Sequence, residues 1–262
     1  MADDSSWDAQ TYDKVSSVQE GWGLGVLQRR KWKGDEVVLD AGCGSGKPAR
    51  ALAARVPKGM VYAVDLDPNM VRQARANLRD YNNVEVMQSD IASVKLPAKV
   101  DVVFSNAVLH WIADHRRVFA NFAGLLKDGG ELLAQCGGQG NLESAIAILD
   151  RVALSNPFRQ YFLTGWKNPW NFAAPGDTEK LLHEAGFTNA KAELAAAPVA
   201  FAGRGQFSAF VRTAVVRAHL ARLPTAAHQD RFLEAYLDEY ERQPPQKKWL
   251  LDYVRLNITA EK

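Results

Sequence analysis

Val38-Leu39-Asp40-Ala41-Gly42-Cys43-Gly44-Ser45-Gly46 is the stretch that decides the fold. Glu36 to Asp40 is a short β-branched run ending in an acid, then comes a cluster of glycines. Pro48 to Arg55 follows and is strongly helical, with its proline near the start. Glycines at a strand-to-helix junction let the backbone turn tightly and approach a ligand with no Cβ in the way. The helix beyond offers N–H groups that have no partner within the helix. Working outward, Met60 to Asp65 reads as a buried strand and Pro68 opens a helix running to about Arg79. Val84 to Gln88 and Val100 to Ser105 are further strands. A helix covers His115 to Leu126, and the Lys127-Asp128-Gly129-Gly130 turn feeds a strand from Glu131 to Cys136. Strands separated by helical patterns pair in parallel through right-handed crossovers.

After Cys136 the rhythm breaks at Gly137-Gly138-Gln139-Gly140. Residues 141–163 read as helix and 164–176 as a loop with Trp and Pro. Thr178 to Ala185 is a short helix stopped by Gly186. Ala190 to Ala197 is expected as the sixth strand, 205–221 and 226–242 as helices, and Asp252 to Thr259 as the last strand. The expectation is an α/β fold: a seven-stranded, mostly parallel sheet with helices on both faces. It forms a single domain over residues 1–262, with an N-terminal helical cap at 1–33 and a ligand-binding core at 36–136. Residues 141–172 and 204–245 are helical insertions that form a lid.

Composition narrows the function classes. The 262 residues are 47% apolar and 24% charged, a globular balance. Lys and Arg number 32 against 30 Asp and Glu, a net charge of +2, which gives no footprint for nucleic acid or an anionic membrane. Two cysteines, Cys43 and Cys136, make neither a disulfide framework nor a zinc cluster, so no metal is expected. An acidic N-terminus, the lack of a long apolar run and the cysteine usage point to the cytoplasm, with no stable membrane association.

Three ligand classes use such a glycine junction. The nucleotide P-loop needs a glycine five positions before Gly-Lys and then Ser or Thr. Here position 41 is Ala and position 48 is Pro. The dinucleotide fingerprint G-x-G-x-x-G has Lys47 where its third glycine belongs. S-adenosylmethionine carries no phosphate, and its amino-acid end has an ammonium and a carboxylate. An acid beside bare N–H groups suits it.

The full stretch Val38 to Gly46 closely resembles motif I of the class I S-adenosylmethionine-dependent methyltransferases, whose fold is Rossmann-like. The resemblance is tight over residues 36–136 and looser beyond. It implies that Asp40, Gly42 and Gly44 cradle the cofactor. Asp65, ending the second strand, binds the ribose hydroxyls beside Leu66. Asp90 accepts from the adenine amino group while Ile91 packs on the ring. Asn106 meets the amino-acid end, and Tyr12 and Gln19 come from an N-terminal helix folded over the cofactor. His110-Trp111 faces the sulfonium and the substrate, with His110 the one histidine placed to act as a base. A core His-Trp pair is the competing reading of those two residues.

Within the class, Trp7 to Asp13 and Leu109-His110-Trp111-Ile112-Ala113-Asp114-His115 are similar to the trans-aconitate, juvenile hormone acid and malonyl-carrier-protein carboxyl methyltransferases. That similarity implies carboxyl O-methylation of a small molecule, releasing S-adenosylhomocysteine. A carboxylate is ionised at neutral pH and needs no general base, whereas a phenol or amine usually does. Carbon methylation of a quinone or isoprenoid-type precursor is the rival chemistry, and a catalytically inactive cofactor-binding partner protein the rival from another class. Arg204, Arg212 and Arg217 are the arginines expected near a substrate carboxylate. Trp166 and Trp170, with Trp7, Tyr12 and Trp22, are aromatic candidates for an apolar pocket. The chain is expected as a monomer or homodimer.

Overall fold

The computed structural model of the protein describes residues 17–262. The described chain divides into two compact units, one of residues 17–139, 170–195 and 255–262 and the other of 140–169 and 196–254. Most of the two insertions expected from sequence falls in the second.

The first unit is built on one sheet. Its strands are β1 (Val37–Ala41), β2 (Met60–Asp65), β3 (Val84–Gln88), β4 (Val100–Asn106), β5 (Leu126–Gly137), β6 (Thr188–Ala196) and β9 (Val254–Glu261). The order is β3-β2-β1-β4-β5-β9-β6. β1 to β5 pair in parallel, and β9 runs antiparallel to β5. The helices are α1 (Ser17–Leu27), α2 (Lys47–Arg55), α3 (Pro68–Leu78), α4 (His115–Leu125) and α7 (Pro175–Glu184). β1 sits centrally with both faces covered, which is why Val37-Val38-Leu39 is a continuous apolar run rather than an alternating one. Leu39, Ala41 and Val103 pack into one core with α4, while Val38, Phe104 and Leu133 pack into another with Val26 and Leu27 of α1 and Leu52 of α2. Beside α1, Glu36 accepts from the backbone N–H of Lys33 and Gly34 and from Arg30, and Arg30 also reaches Glu131.

The Lys127-Asp128-Gly129-Gly130 turn appears as an excursion within β5. The register slips between Val100↔Leu126 and Val102↔Glu131, with Gly129 at φ 75°. The sixth strand begins two residues earlier than its alanine-rich pattern implied, and the last two residues later.

The second unit holds α5 (Glu143–Ala153), α6 (Arg159–Phe162), α8 (Arg204–Ala214), α9 (Arg217–Ala221) and α10 (Ala226–Glu241), with a two-stranded ribbon of β7 (Val199–Ala200) and β8 (Leu250–Leu251). Two helices read as continuous are each broken. Ser155-Asn156-Pro157 interrupts 141–163, because proline has no N–H to continue the ladder and disfavours helix at the residue before it. Between α8 and α9 the N–H groups of Val215 and Val216 both donate to the Val211 carbonyl, at 2.9 and 2.8 Å, and the helix closes there. Among the described residues, no helix is long and apolar enough to cross a membrane.

Candidate active site

The glycine loop leaves the carboxyl edge of β1 and is pinned by β2. The N–H groups of Gly42 and Cys43 both donate to the Val64 carbonyl, at 2.8 and 2.9 Å. Gly42 has φ 83°, and a Cβ there would stand 2.2 Å from Val108 Cγ2. Gly44 has φ 55°, yet a Cβ there would meet nothing within 4 Å among the described residues. One side of the loop is therefore packed hard, and the other meets none of the described residues. Asp65, at the end of β2, accepts from the Gly44 N–H through Oδ2 and from the Asp67 N–H through Oδ1, both at 2.9 Å. Burial raises its pKa against the pull of those two bonds. Each oxygen keeps a lone pair for a hydroxyl donor. Leu66 beside it is 66% exposed, a large apolar side chain left facing outward.

Asp40 is the unusual group. It is fully buried near the end of β1, and neither carboxylate oxygen has a hydrogen-bond partner among the described residues. Burial, and then the nearby Asp65, push its pKa up to about 8. An orphaned buried carboxylate is costly unless a cationic partner arrives. The loop's cation, Lys47, lies 3.4 Å from Glu20 of α1. A buried acid, a second acid with spare acceptor sites and an open glycine backbone fit S-adenosylmethionine, which brings an ammonium and two ribose hydroxyls. Asp40 would hold the ammonium and Asp65 the ribose. Asp90 follows β3, where its Oδ1 accepts from the Ala92 N–H at 2.9 Å and its carbonyl accepts from Ser93 and Val94; Ile91 is buried beside it. Among the described residues, no group of three or more His, Cys, Asp or Glu could hold a metal.

Farther along the same edge, β4 ends at Asn106, which is buried, and Ala107 takes φ 59° into a short 3-10 turn over Leu109–Trp111. That turn carries His110. Its Nδ1 accepts from the Gly137 N–H at 3.3 Å, which leaves the ring proton on Nε2. Burial, with help from Arg255 and His115, lowers its pKa well below the ordinary histidine value, so the ring is neutral. Around it stand Trp111, 5.2 Å between ring centroids, and Phe172, at 6.0 Å; Trp170 lies 6.1 Å from Trp111 and 5.8 Å from Phe172. Sequence reading named His110, Trp111 and Trp170, and the fold brings them together. It missed Phe172, Gln135 and Arg255.

Arg255 is the second residue of β9, pairs with Gly137 and is only 3% exposed. Its Nε and Nη2 both donate to Gln135 Oε1, at 3.1 and 2.8 Å, and its guanidinium lies 4.3 Å from the Trp22 ring centroid. A signal existed. Leu256 and Ile258 belong to one core, so the alternation of the last strand turns Arg255 and Asn257 to the other face.

Trp166 and Arg204 belong to the second unit. Trp166 packs on Phe162 and His219, at 5.2 and 4.4 Å between centroids. Arg204 is held by Glu234, Asp238 and Glu241 at 2.7 to 2.8 Å, and Arg212 by Asp230 at 2.9 Å. A fork already carrying three carboxylates is a poor receptor for a fourth, so Arg204 drops out of the substrate set. Tyr12 lies outside the described residues, as does the side chain of Gln19, whose backbone is in α1.

A strand order of β3-β2-β1-β4-β5-β9-β6 with an acid-led glycine loop defines a Rossmann-like methyltransferase fold. A family described as "Methyltransferase domain" matches residues 39–134. The chain is 30% identical to a trans-aconitate 2-methyltransferase of Methylobacterium nodulans over 100% of this chain and 99% of that relative. It is 33% identical to one from Rhodopseudomonas palustris over 67% of this chain and 66% of the relative. It is also 34% identical to a malonyl-[acyl-carrier protein] O-methyltransferase of Xylella fastidiosa over 57% of this chain and 53% of that relative. Over these last two alignments the chain spans less than two thirds of the relative's own length. Among solved structures, a phosphoethanolamine N-methyltransferase of Haemonchus contortus in complex with S-adenosyl-L-methionine is similar at TM-score 0.63 and 19% identity, covering 97% of this chain and 56% of that one. The chain belongs to the class I S-adenosylmethionine-dependent methyltransferase family.

Proposed function

We propose that the protein methylates a carboxylate oxygen of a small organic acid. S-adenosylmethionine, when bound, supplies a methyl group on a positively charged sulfur, ready for in-line displacement. The chain's own work is to bind, align and exclude water. Asp40, Asp65 and the Gly44 backbone hold one end of the site, and Asn106 lies at its middle. The wall of His110, Trp111, Trp170 and Phe172 shields the far end.

One observation carries the choice of a carboxylate. His110 is the histidine at the site, and its Nδ1 is taken by the Gly137 N–H while its pKa is driven well down. A neutral ring with its proton on Nε2 donates a hydrogen bond and accepts no proton there. A nucleophile already ionised at neutral pH suits such a site, and a phenol or carbon acid does not. The names of the trans-aconitate and malonyl relatives support the same reading. The lid role of segments 141–172 and 204–245 belongs to this proposal. Hydrogen exchange with and without S-adenosylhomocysteine tests it, and unchanged protection in both segments would remove it.

The deciding experiment uses S-adenosylmethionine labelled in its methyl group with trans-aconitate, a malonyl thioester and a quinol as acceptors. A carboxyl methyl ester releases labelled methanol in alkali. Product label that survives alkali would overturn the carboxylate reading.

A further inference from the structure

We infer that Asn171 is a positioning residue for methyl transfer: it braces the turn after β4 and so sets the His110 imidazole against the reacting oxygen. This rests on the proposed place of His110 at the site.

The turn does not hold its shape by local preference. It starts at Ala107, whose φ of 59° is costly for a residue with a Cβ. Its helical part is only Leu109–Trp111, with two backbone bonds of its own, from Trp111 to Val108 and from Ile112 to Leu109, each 2.9 Å. Other ties come from outside it. His115 Nε2 donates to the Leu109 carbonyl at 2.8 Å. The Asn171 N–H donates to the His110 carbonyl at 2.8 Å. The Asn171 side-chain Nδ2 has two hydrogens, and it donates to the Ile112 and Ala113 carbonyls at 3.1 and 3.2 Å. One residue thus satisfies three carbonyls of the segment that carries His110 and Trp111.

The neighbours of Asn171 hold the same segment by its rings. Phe172 stacks on His110 and Trp170 lies against Trp111, while Trp170 and Phe172 are themselves 11° from parallel. Ring contacts tolerate sliding, whereas hydrogen bonds from one planar amide fix direction. Direction matters because the tie on the imidazole is slender. The bond from the Gly137 N–H to His110 Nδ1 is 3.3 Å, long enough that a small rotation of the turn breaks it. The ring then loses the partner that keeps its proton on Nε2. Burial does most to keep that ring neutral, followed by Arg255 of β9 and His115 of α4, and the Cys136 thiol of β5 lies against its backbone.

The surroundings of Asn171 separate placement from stability. With Asp114, His115, Gln139 and Asp177, it lines an open cavity of about 410 Å³. Water entering from that cavity can bond the Ile112 and Ala113 carbonyls once the side chain is shortened, so no buried acceptor is orphaned. Shortening Asn171 therefore loosens the turn more than it weakens the fold. Asn83 provides the comparison. Its Nδ2 also donates to two carbonyls, those of Ala53 and Val56 at 3.0 and 2.9 Å, but it precedes β3 at the opposite edge of the sheet.

The test uses Asn171→Ala, Asn171→Ser and Asn83→Ala in the full chain, with Asn171→Ala also made in a His110→Ala background. Thermal melting and calorimetric titration with S-adenosylhomocysteine verify that each variant is folded and binds cofactor. With trans-aconitate as acceptor, Asn171→Ala should lower kcat/KM roughly tenfold, the effect of a misplaced group. Asn171→Ser, keeping one donor, should fall between, and it decides if the alanine variant does not fold. Asn83→Ala, and Asn171→Ala in the His110→Ala background, should each change kcat/KM less than about 2-fold. Nuclear magnetic resonance of the imidazole nitrogens in the S-adenosylhomocysteine complex needs no acceptor, and it decides where trans-aconitate is not turned over. Wild-type His110 should stay the neutral Nε2–H form down to about pH 5.5, and in Asn171→Ala it should titrate toward the ordinary value of about 6.5. Unchanged His110 signals in a folded Asn171→Ala protein, or an equal rate loss with and without His110, would overturn the positioning role. A His110→Ala protein as active as the wild type would overturn the reading of His110 itself.

Discussion

Two glycines in one loop should fail for different reasons when given the same methyl group. Gly42 and Gly44 both have positive φ, at 83° and 55°, so alanine at either costs about 1–2 kcal/mol in backbone strain. Their surroundings differ. A Cβ at Gly42 would lie 2.2, 2.7 and 2.9 Å from Val108 Cγ2, Cγ1 and Cβ, a clash that only a shift of Val108 and its turn relieves. Overpacking of this kind costs about 1–3 kcal/mol, so Gly42→Ala should lose roughly 2–5 kcal/mol in all. Gly44→Ala meets nothing within 4 Å among the described residues and should lose only the strain. Its methyl instead enters the open side of the cradle, and S-adenosylhomocysteine should bind at least about tenfold more weakly, ~1.4 kcal/mol. Urea denaturation and calorimetric titration read the two quantities separately. In the double variant Gly42→Ala/Val108→Ala, the clash portion should return as a favourable coupling while the strain remains. Equal stability losses at both positions would refute the packing argument. A Gly44→Ala protein that is folded and binds cofactor as the wild type does would refute the cradle.

Three further predictions follow from ionisable groups. Asp40 titrates near 8 folded, against about 4 in an unfolded chain, so the folded state holds the extra proton between those values. Stability should therefore fall as pH rises from about 4 to 8, affinity for S-adenosylhomocysteine should rise over the same window with proton release, and Asp40→Asn should flatten both slopes. Titration in buffers of different ionisation enthalpy checks the proton release, and a wild type that releases none would contradict the Asp40–ammonium pairing. Glu36 is buried, which raises its pKa, but the Lys33 and Gly34 N–H groups and Arg30 outweigh that and hold it at about 2. Glu36→Gln should cost about 2–3 kcal/mol at pH 7, a difference fully present above the unfolded value near 4.3 and lost as pH falls toward 2; urea melts at pH 7 and 3 measure it, and a pH-independent difference would oppose it. His110→Ala should lower kcat/KM by roughly 10- to 100-fold, the worth of one hydrogen bond to a charged group. The wild-type rate should show no limb near pH 6.5, and a limb there that the variant abolishes would restore His110 as a base.

What the sequence determined by itself was the local chemistry. Strand, acid, glycines and helix lie within Val38 to Arg55, and each element is dictated by neighbours a few residues away. Asp65 was read in the same way, at the end of the apolar run of β2, and Asp90 was read as the acid that follows β3. The Asn106-to-Trp111 turn was legible as a segment, since it follows the fourth strand directly. Even so, the tautomer of His110 depends on Gly137, 27 residues on, and its neutrality on a core that no local pattern reveals. Arg255 shows the limit most plainly. It bonds a residue 120 positions away, and only the antiparallel return of β9 beside β5 puts it at the carboxyl edge. Arg204 and Arg212, which looked better placed on amphipathic helices, are held by carboxylates of their own unit. Helix-surface charge is visible in sequence, but burial of a charge is a property of pairing across the sheet, and only the tertiary structure decides it.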